Sequence, residues 1–144
     1  MSRVADDVIA FYRMFSSFER EEICCGSVTP AQCVLLQTLT TEEWDVSGLA
    51  AASRVTKGAM TRLVDRLEDR GWVTRERGED DGRRVLVALT ADGKKEARRL
   101  HDLTERSIGA IFERIPKGER AQVVRSMHVL RRAAEEARAL LDCC

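Results

Sequence analysis

The residues whose chemistry stands out form two groups. The first is a run of small, hydroxylated and basic side chains, Thr56, Lys57, Gly58, Thr61, Arg62 and Arg66, joined further on by Arg83 and Arg84. Hydroxyls and guanidinium groups hydrogen-bond to phosphate oxygens and base edges, lysine pairs with phosphate, and glycine lets another surface come close. The second group is five cysteines: Cys24 and Cys25 adjacent, Cys33 shortly after, and Cys143 and Cys144 at the end. Thiolates bind soft ions and react with oxidants. Three of them suit a trigonal ion such as arsenite, As(III), or mercuric ion, whereas zinc normally takes a fourth ligand.

Composition bounds what these groups can do. A chain of 144 residues fits one compact domain, or a small module with helices that need a partner to cover them. With 44% hydrophobic and 33% charged residues, two prolines and few aromatics, it reads as a folded helical protein. Net charge is zero, so a nucleic-acid partner has to be argued from placement: residues 54–84 hold nine basic and seven acidic side chains. There is no run of eighteen apolar residues, and Asp6 and Asp7 stand where a signal peptide would be basic and then apolar. The expectation is a cytoplasmic protein with no membrane partner. In a reducing compartment an odd number of cysteines argues against a disulfide framework.

An enzyme is not expected. The sequence has no phosphate-binding glycine loop, no pair of histidines at metal-ligand spacing (His101 and His128 stand alone), and no nucleophile with an evident base.

The elements that must position the first group follow from periodicity. Val4, Val8, Phe11, Phe15 and Phe18 put an apolar stripe on a helix over residues 2–25, with Gly26 as its stop. Thr29, Pro30 and Gln32 read as N-cap, first-turn proline and capping-box partner of a helix over 30–39. Residues 42–46 are too short and polar for a helix, and Ser47 is expected to cap a short one over 48–53. Thr56 caps the next, over 57–70, with Met60, Leu63, Val64 and Leu67 on one face and Gly71 as its stop. The period then shortens to that of strands over 72–77 and 83–89, joined by an acidic, glycine-bearing turn. Trp44 and Trp72 are expected to pack beside this hairpin. Thr90 caps a long helix with Ala97, Leu100, Thr104, Ser107 and Ile111 along one seam, broken by Pro116 and Gly118. A last helix over 117–141 carries Val123, Met127, Leu130, Ala134, Ala137 and Leu141, more apolar surface than so small a domain can cover by itself.

A short helix, a tight turn at Val55 and Thr56, a second helix and a two-stranded ribbon is the order of a winged helix-turn-helix. The second helix of such a motif enters the major groove with its first residues nearest the bases. That assigns Thr56, Lys57, Gly58, Thr61 and Arg62 to base edges and phosphates, with the helix N-terminus adding free amides. Arg83 and Arg84 suit the minor groove, whose negative potential attracts arginine, with Asp81 beside them to orient an arginine.

The stretch from Leu49 through Ser53, Thr56, Lys57, Gly58, Met60, Thr61, Arg62, Asp65, Arg66 and Leu67 to Gly71 and Trp72 resembles the MarR family of transcriptional regulators. So does Asp81, Gly82, Arg83 and Arg84 running into Leu89 and Thr90, which is similar to the family's wing signature. The resemblance implies a mainly α fold with a small β-wing: a winged helix-turn-helix at 30–90 within one domain, 1–144, and dimerisation helices at 1–25 and 91–144. It further implies a homodimer, two lobes on a pseudo-palindromic double-stranded DNA operator, and repression relieved by an effector, with no cofactor required for DNA binding. Arg83 is by the same resemblance the minor-groove residue.

The cysteines are no part of that motif. Cys24 and Cys25 at the end of one helix and Cys33 at the start of the next could converge into a soft-metal or metalloid site, with Cys143 and Cys144 approaching from a partner subunit. The alternatives are an aromatic organic effector between subunits, with the thiols structural, or oxidation of Cys24 or Cys25 resolved by Cys33.

Overall fold

The computed structural model describes residues 2–20, 28–79 and 83–138. In chain order they form α1 (Ser2–Arg20), α2 (Pro30–Thr38), β1 (Trp44–Asp45), α3 (Val46–Ser53), α4 (Lys57–Asp69), β2 (Val73–Arg77), β3 (Val85–Leu89), α5 (Ala91–Glu113) and α6 (Lys117–Ala137). The mainly helical fold with a small β-wing is as the sequence indicates.

The start of α2 is set by a reciprocal cap. The Gln32 amide donates to Thr29 Oγ1 at 3.3 Å while the Thr29 amide donates to Gln32 Oε1 at 3.1 Å, which satisfies the buried Gln32 side chain. Leu35 and Leu36 then turn inward. They share one core with Leu49, Met60, Val64, Leu67, Val87, Ala97 and Leu100, drawn from α2, α3, α4, β3 and α5. Leu63, expected on the buried face of α4, is only partly covered there.

Two expectations need correction around α3. Its N-cap is Asp45 rather than Ser47: Asp45 Oδ1 accepts from the Gly48 amide at 2.6 Å, so the helix begins at Val46. Aspartate is as good a cap as serine, and one residue pattern offers both. Second, the ribbon is not two-stranded. Trp44 and Asp45 pair antiparallel with Val87 and Leu86, giving a three-stranded sheet in the order β1-β3-β2. A two-residue strand has no periodicity to read; it exists because β3 offers it an edge.

The end of α4 is closed by Gly71, at φ +73°, with its amide donating to Glu68 O and that of Trp72 to Leu67 O. The Arg70 guanidinium lies 4.8 Å from the centroid of the Trp72 ring. Thr90 then fastens α5 to this corner. Its amide donates to Trp72 O, its hydroxyl donates to Gly71 O at 2.6 Å, and the same oxygen accepts from the Gly93 amide, capping the helix. Gln37 Nε2 donates to Ala97 O at 2.8 Å and ties α2 to α5.

The described residues divide into two compact units after Glu105, within α5. In the second, Arg120 donates to Ile115 O and Glu113 O, both at 2.9 Å, and so holds the turn at Pro116. No residue of α6 is buried, and Met127, Val129 and Leu130 are each half-exposed or more. On α1, Val4, Val8, Phe11 and Tyr12 are exposed likewise, with the Phe11 and Phe15 rings 4.5 Å apart. Cys24, Cys25, Gly26, Asp81, Leu141, Cys143 and Cys144 lie outside the described residues.

Candidate nucleic-acid interface

The turn between α3 and α4 is short because Arg54 takes the left-handed conformation, φ 53° and ψ 42°, and ends α3 there. A non-glycine residue in that region costs about 1 kcal/mol. The hydrogen bonds of the Arg54 amide to Ala51 O and of the Val55 amide to Ala50 O hold it in place. Thr56 follows as the N-cap of α4, its Oγ1 accepting from the Ala59 amide at 3.1 Å.

The first turn of α4 therefore begins at a defined point with the amides of its leading residues free of helical partners. Thr56, Lys57, Gly58 and Arg62 are exposed, as is Arg66 one turn on, while Met60, Val64 and Leu67 hold the opposite face in the core. Thr61 is half-buried and its hydroxyl donates to Lys57 O at 2.8 Å, which leaves its oxygen able to accept a further hydrogen bond.

Across from that turn stand the strands. Asp45, Val46, Ser47, Lys57, Thr61, Arg75, Arg83, Arg84 and Val85 line an open cleft of about 470 Å3 between α4 and the base of the wing. The cleft thus brings together Lys57, Thr61, Arg83 and Arg84, four of the residues singled out in the sequence. It also brings in two charged residues that were not. Asp45 accepts from both Nε and Nη2 of Arg84, at 3.2 and 3.0 Å. Arg75 of β2 pairs with Asp65 and Glu68 of α4. Arg84 is thus paired with Asp45; Asp81, expected to orient one of the two arginines, lies outside the described residues.

The Asp45 carboxyl is held below its usual pKa of about 4. The Gly48 amide does most, then the Arg84 hydrogen bond; partial burial opposes them, and the charges of Arg84 and Lys57 add to the lowering. A carboxylate with a depressed pKa in the folded state contributes stability at pH above its unfolded value and loses it as pH falls through the folded one. Replacing Asp45 by Asn, which keeps the capping acceptor but not the charge, should therefore flatten the acid limb of stability below about pH 4. Urea denaturation at pH steps from 7 down to 2 measures this, and an acid limb as steep as in the unaltered protein would exclude Asp45 as a source of it.

Residues 28–85 match the model of the MarR family. The chain is similar in structure to the apo form of MarR from E. coli, with a TM-score of 0.71 at 25% identity, covering 84% of this chain and 93% of that one. The stretch that holds the cleft is thus similar to the MarR family. An uncharacterised HTH-type transcriptional regulator of Bacillus subtilis, YfiV, is 33% identical over 93 residues, 65% of this chain and 58% of that protein. The multiple antibiotic resistance protein MarR of Salmonella typhimurium is 36% identical over 70 residues, 49% of this chain and 38% of that one. The aligned region thus spans between about two fifths and three fifths of these relatives' own length.

The MarR match covers α2, β1, α3, α4 and β2 and ends at the first residue of β3, so it takes in every residue that lines the cleft. Of the cysteines, Cys33 is the described one. It is 7% exposed, within the core cluster that also holds Val28, Leu36 and Leu39. No group of three potential metal ligands occurs among the described residues. The residues that sequence reasoning missed here are Asp45 and Arg75. Each looks like an ordinary charge on a polar segment: Asp45 gains its partner through the pairing of β1 with β3, and Arg75 through the return of β2 alongside α4.

Proposed function

We propose that this chain is a DNA-binding transcriptional repressor, not an enzyme, acting as a homodimer on a pseudo-palindromic operator. The cleft between the first turn of α4 and the wing base carries the reading. Lys57, Thr61, Arg83 and Arg84 converge on one side of the molecule, next to a helix N-terminus, in an MarR-family fold. In this reading Thr56, Lys57, Gly58, Thr61 and Arg62 meet the major groove, Arg66 a phosphate, and Arg83 the minor groove. Arg84 supports the wing through Asp45. The apolar faces of α1 and α6, exposed in a single chain, are the dimerisation surface.

The test is selection of duplexes from a random DNA pool by the purified protein. Enriched sequences should show two half-sites related by a dyad, about one helical turn apart. Removing the side chain of Arg62 should cost about 1–3 kcal/mol and relax the preference at one base, while Lys57→Ala should weaken all sequences alike and lower the salt slope by about one. A protein that enriches no duplex is not a sequence-specific regulator.

For the effector, we propose a soft metal or metalloid such as arsenite held by Cys24, Cys25 and Cys33, on the spacing of the thiols. Burial of Cys33 in the core that α2 shares with α3 and α4 gives an ion bound there a mechanical route to the DNA-binding lobe. Ion binding shifts the protein only if it favours one conformation over the other. Arsenite should release selected DNA from the unaltered protein and not from Cys33→Ser. Release by peroxide, reversed by dithiothreitol, would instead identify a redox sensor, and release by an aromatic compound that survives loss of all three thiols an organic ligand.

A further inference from the structure

Arg75 sits in the middle of β2, opposite Val87 of β3, with its side chain about a quarter exposed. Its guanidinium reaches across to α4. Nη2 donates to Asp65 Oδ1 at 2.5 Å, and Nη1 donates to Glu68. Asp65 and Glu68 stand three residues apart, so they are neighbours on one face of the helix, and the planar fork of an arginine can meet both at once. Burial works against the charge on this guanidinium, but the hydrogen bond to Asp65 and the nearby charges of Glu68 and Asp65 outweigh it and raise its pKa.

We infer that Arg75 is a positioning residue that fixes the angle between the recognition helix and the wing, so that α4 and Arg83 meet adjacent grooves together. The functional half of this inference rests on the DNA-binding reading; the mechanical half does not. A β-ribbon is joined to its domain at one end and can swing about its base. Main-chain pairing on both sides restrains the central strand β3, whereas β2 is an edge strand held by β3 alone. Arg75 gives that outer strand a two-pronged attachment to the side of α4. It has a second consequence. Asp65 lies one turn beyond Thr61 and Arg62 on an exposed stretch of helix, where two carboxylates would repel a phosphate backbone; Arg75 neutralises them without occupying the first turn. Asp45 and Arg84 attach the returning strand to α3 independently, so loss of Arg75 loosens the wing without detaching it.

The experiment compares the unaltered protein with Arg75→Gln, Arg75→Lys and Arg99→Gln. The last breaks a two-pronged pair with Glu96 that lies within α5 and joins no strand to a helix, so it controls for loss of an arginine–carboxylate pair as such. Residual dipolar couplings of amides in α4, β2 and β3 should fit one alignment tensor in the unaltered protein and in Arg99→Gln. In Arg75→Gln the strand amides should need a reduced amplitude, with Arg75→Lys between. On duplexes enriched from a random pool, Arg75→Gln and Arg83→Ala should each weaken binding by about tenfold. Together they should fall well short of the product, about a hundredfold, because a misaligned wing has already lost the Arg83 contact. One tensor in Arg75→Gln, or fully multiplicative losses, overturns the inference. If the unaltered protein enriches no duplex, the DNA reading fails and the couplings alone decide whether Arg75 holds the wing.

Discussion

Substituting Gly93 by alanine should destabilise the fold by about 3 kcal/mol, near the upper end of what forced overpacking usually costs. A Cβ at this position would stand 1.8 Å from the carbonyl oxygen of Trp72 and 2.7 Å from its carbon, both backbone atoms that no rotamer change can move aside. The closeness has a cause. The Thr90 amide bonds to that carbonyl, the Thr90 hydroxyl bonds to Gly71 O, and the Gly93 amide bonds back to the hydroxyl, so the first turn of α5 is drawn onto the corner where α4 passes into β2. A methyl group there has to break at least one of these bonds or push α5 off the corner. The midpoint of thermal unfolding should fall by about 10 °C. Since Ala97 and Leu100 of the same helix are fully buried, the loss should also appear as reduced cooperativity of the whole lobe. A midpoint within about 2 °C of the unaltered protein, on a scale of a few degrees per kcal/mol, would mean that the corner opens freely and that Gly93 is not required by packing.

Most of the architecture could be read from the chain, and the reason is local redundancy. For α2 the cap, the first-turn proline and the apolar spacing all point to the same start, and the structure has the reciprocal hydrogen bonds that Thr29 and Gln32 imply. For α4 the Thr56 cap, the Met60, Val64 and Leu67 face and the Gly71 stop agree in the same way. Where only one signal existed, the reading slipped. Asp45 and Ser47 both qualify as caps for α3, and the choice between them depends on β1, which pairs with residues some forty positions later. The left-handed Arg54 has no sequence mark, because glycine or asparagine normally announces such a turn.

The site divides along the same line. Lys57, Gly58, Thr61 and Arg62 follow from the helix register alone, since the buried face fixes which residues are left outside. The partners of the wing arginines do not, because Arg84 meets Asp45 only through the pairing of β3 with β1, and Arg75 meets Asp65 and Glu68 only through the path of β2 back along α4. Asp81, expected to orient an arginine, and the Cys24 and Cys25 pair fall outside the described residues.

Gly58 separates what the fold needs from what a partner needs. A glycine inside a helix is less favourable than alanine by about 0.5–1 kcal/mol, so its presence at the second position of α4 asks for a reason. The protein supplies none: its φ is not in the left-handed region, and a Cβ there would find open space, with no heavy atom within 4 Å beyond its immediate surroundings. Gly93 is fixed by the chain's own packing; Gly58 is not. If α4 meets the major groove with its first turn, a side chain at Gly58 would hold the helix away from the base edges and lengthen every contact made by Lys57, Thr61 and Arg62. Gly58→Ala should then raise thermal stability while weakening binding to selected duplexes. Gly58→Leu, also a good helix former, should keep the gain in stability and lose binding by roughly 1–3 kcal/mol, about fivefold to 150-fold. Opposite signs in the two measurements cannot arise from damage to the fold. If Gly58→Leu binds the selected duplexes as tightly as the unaltered protein, the first turn of α4 does not approach the groove, and the assignment of Lys57, Thr61 and Arg62 to base edges falls with it.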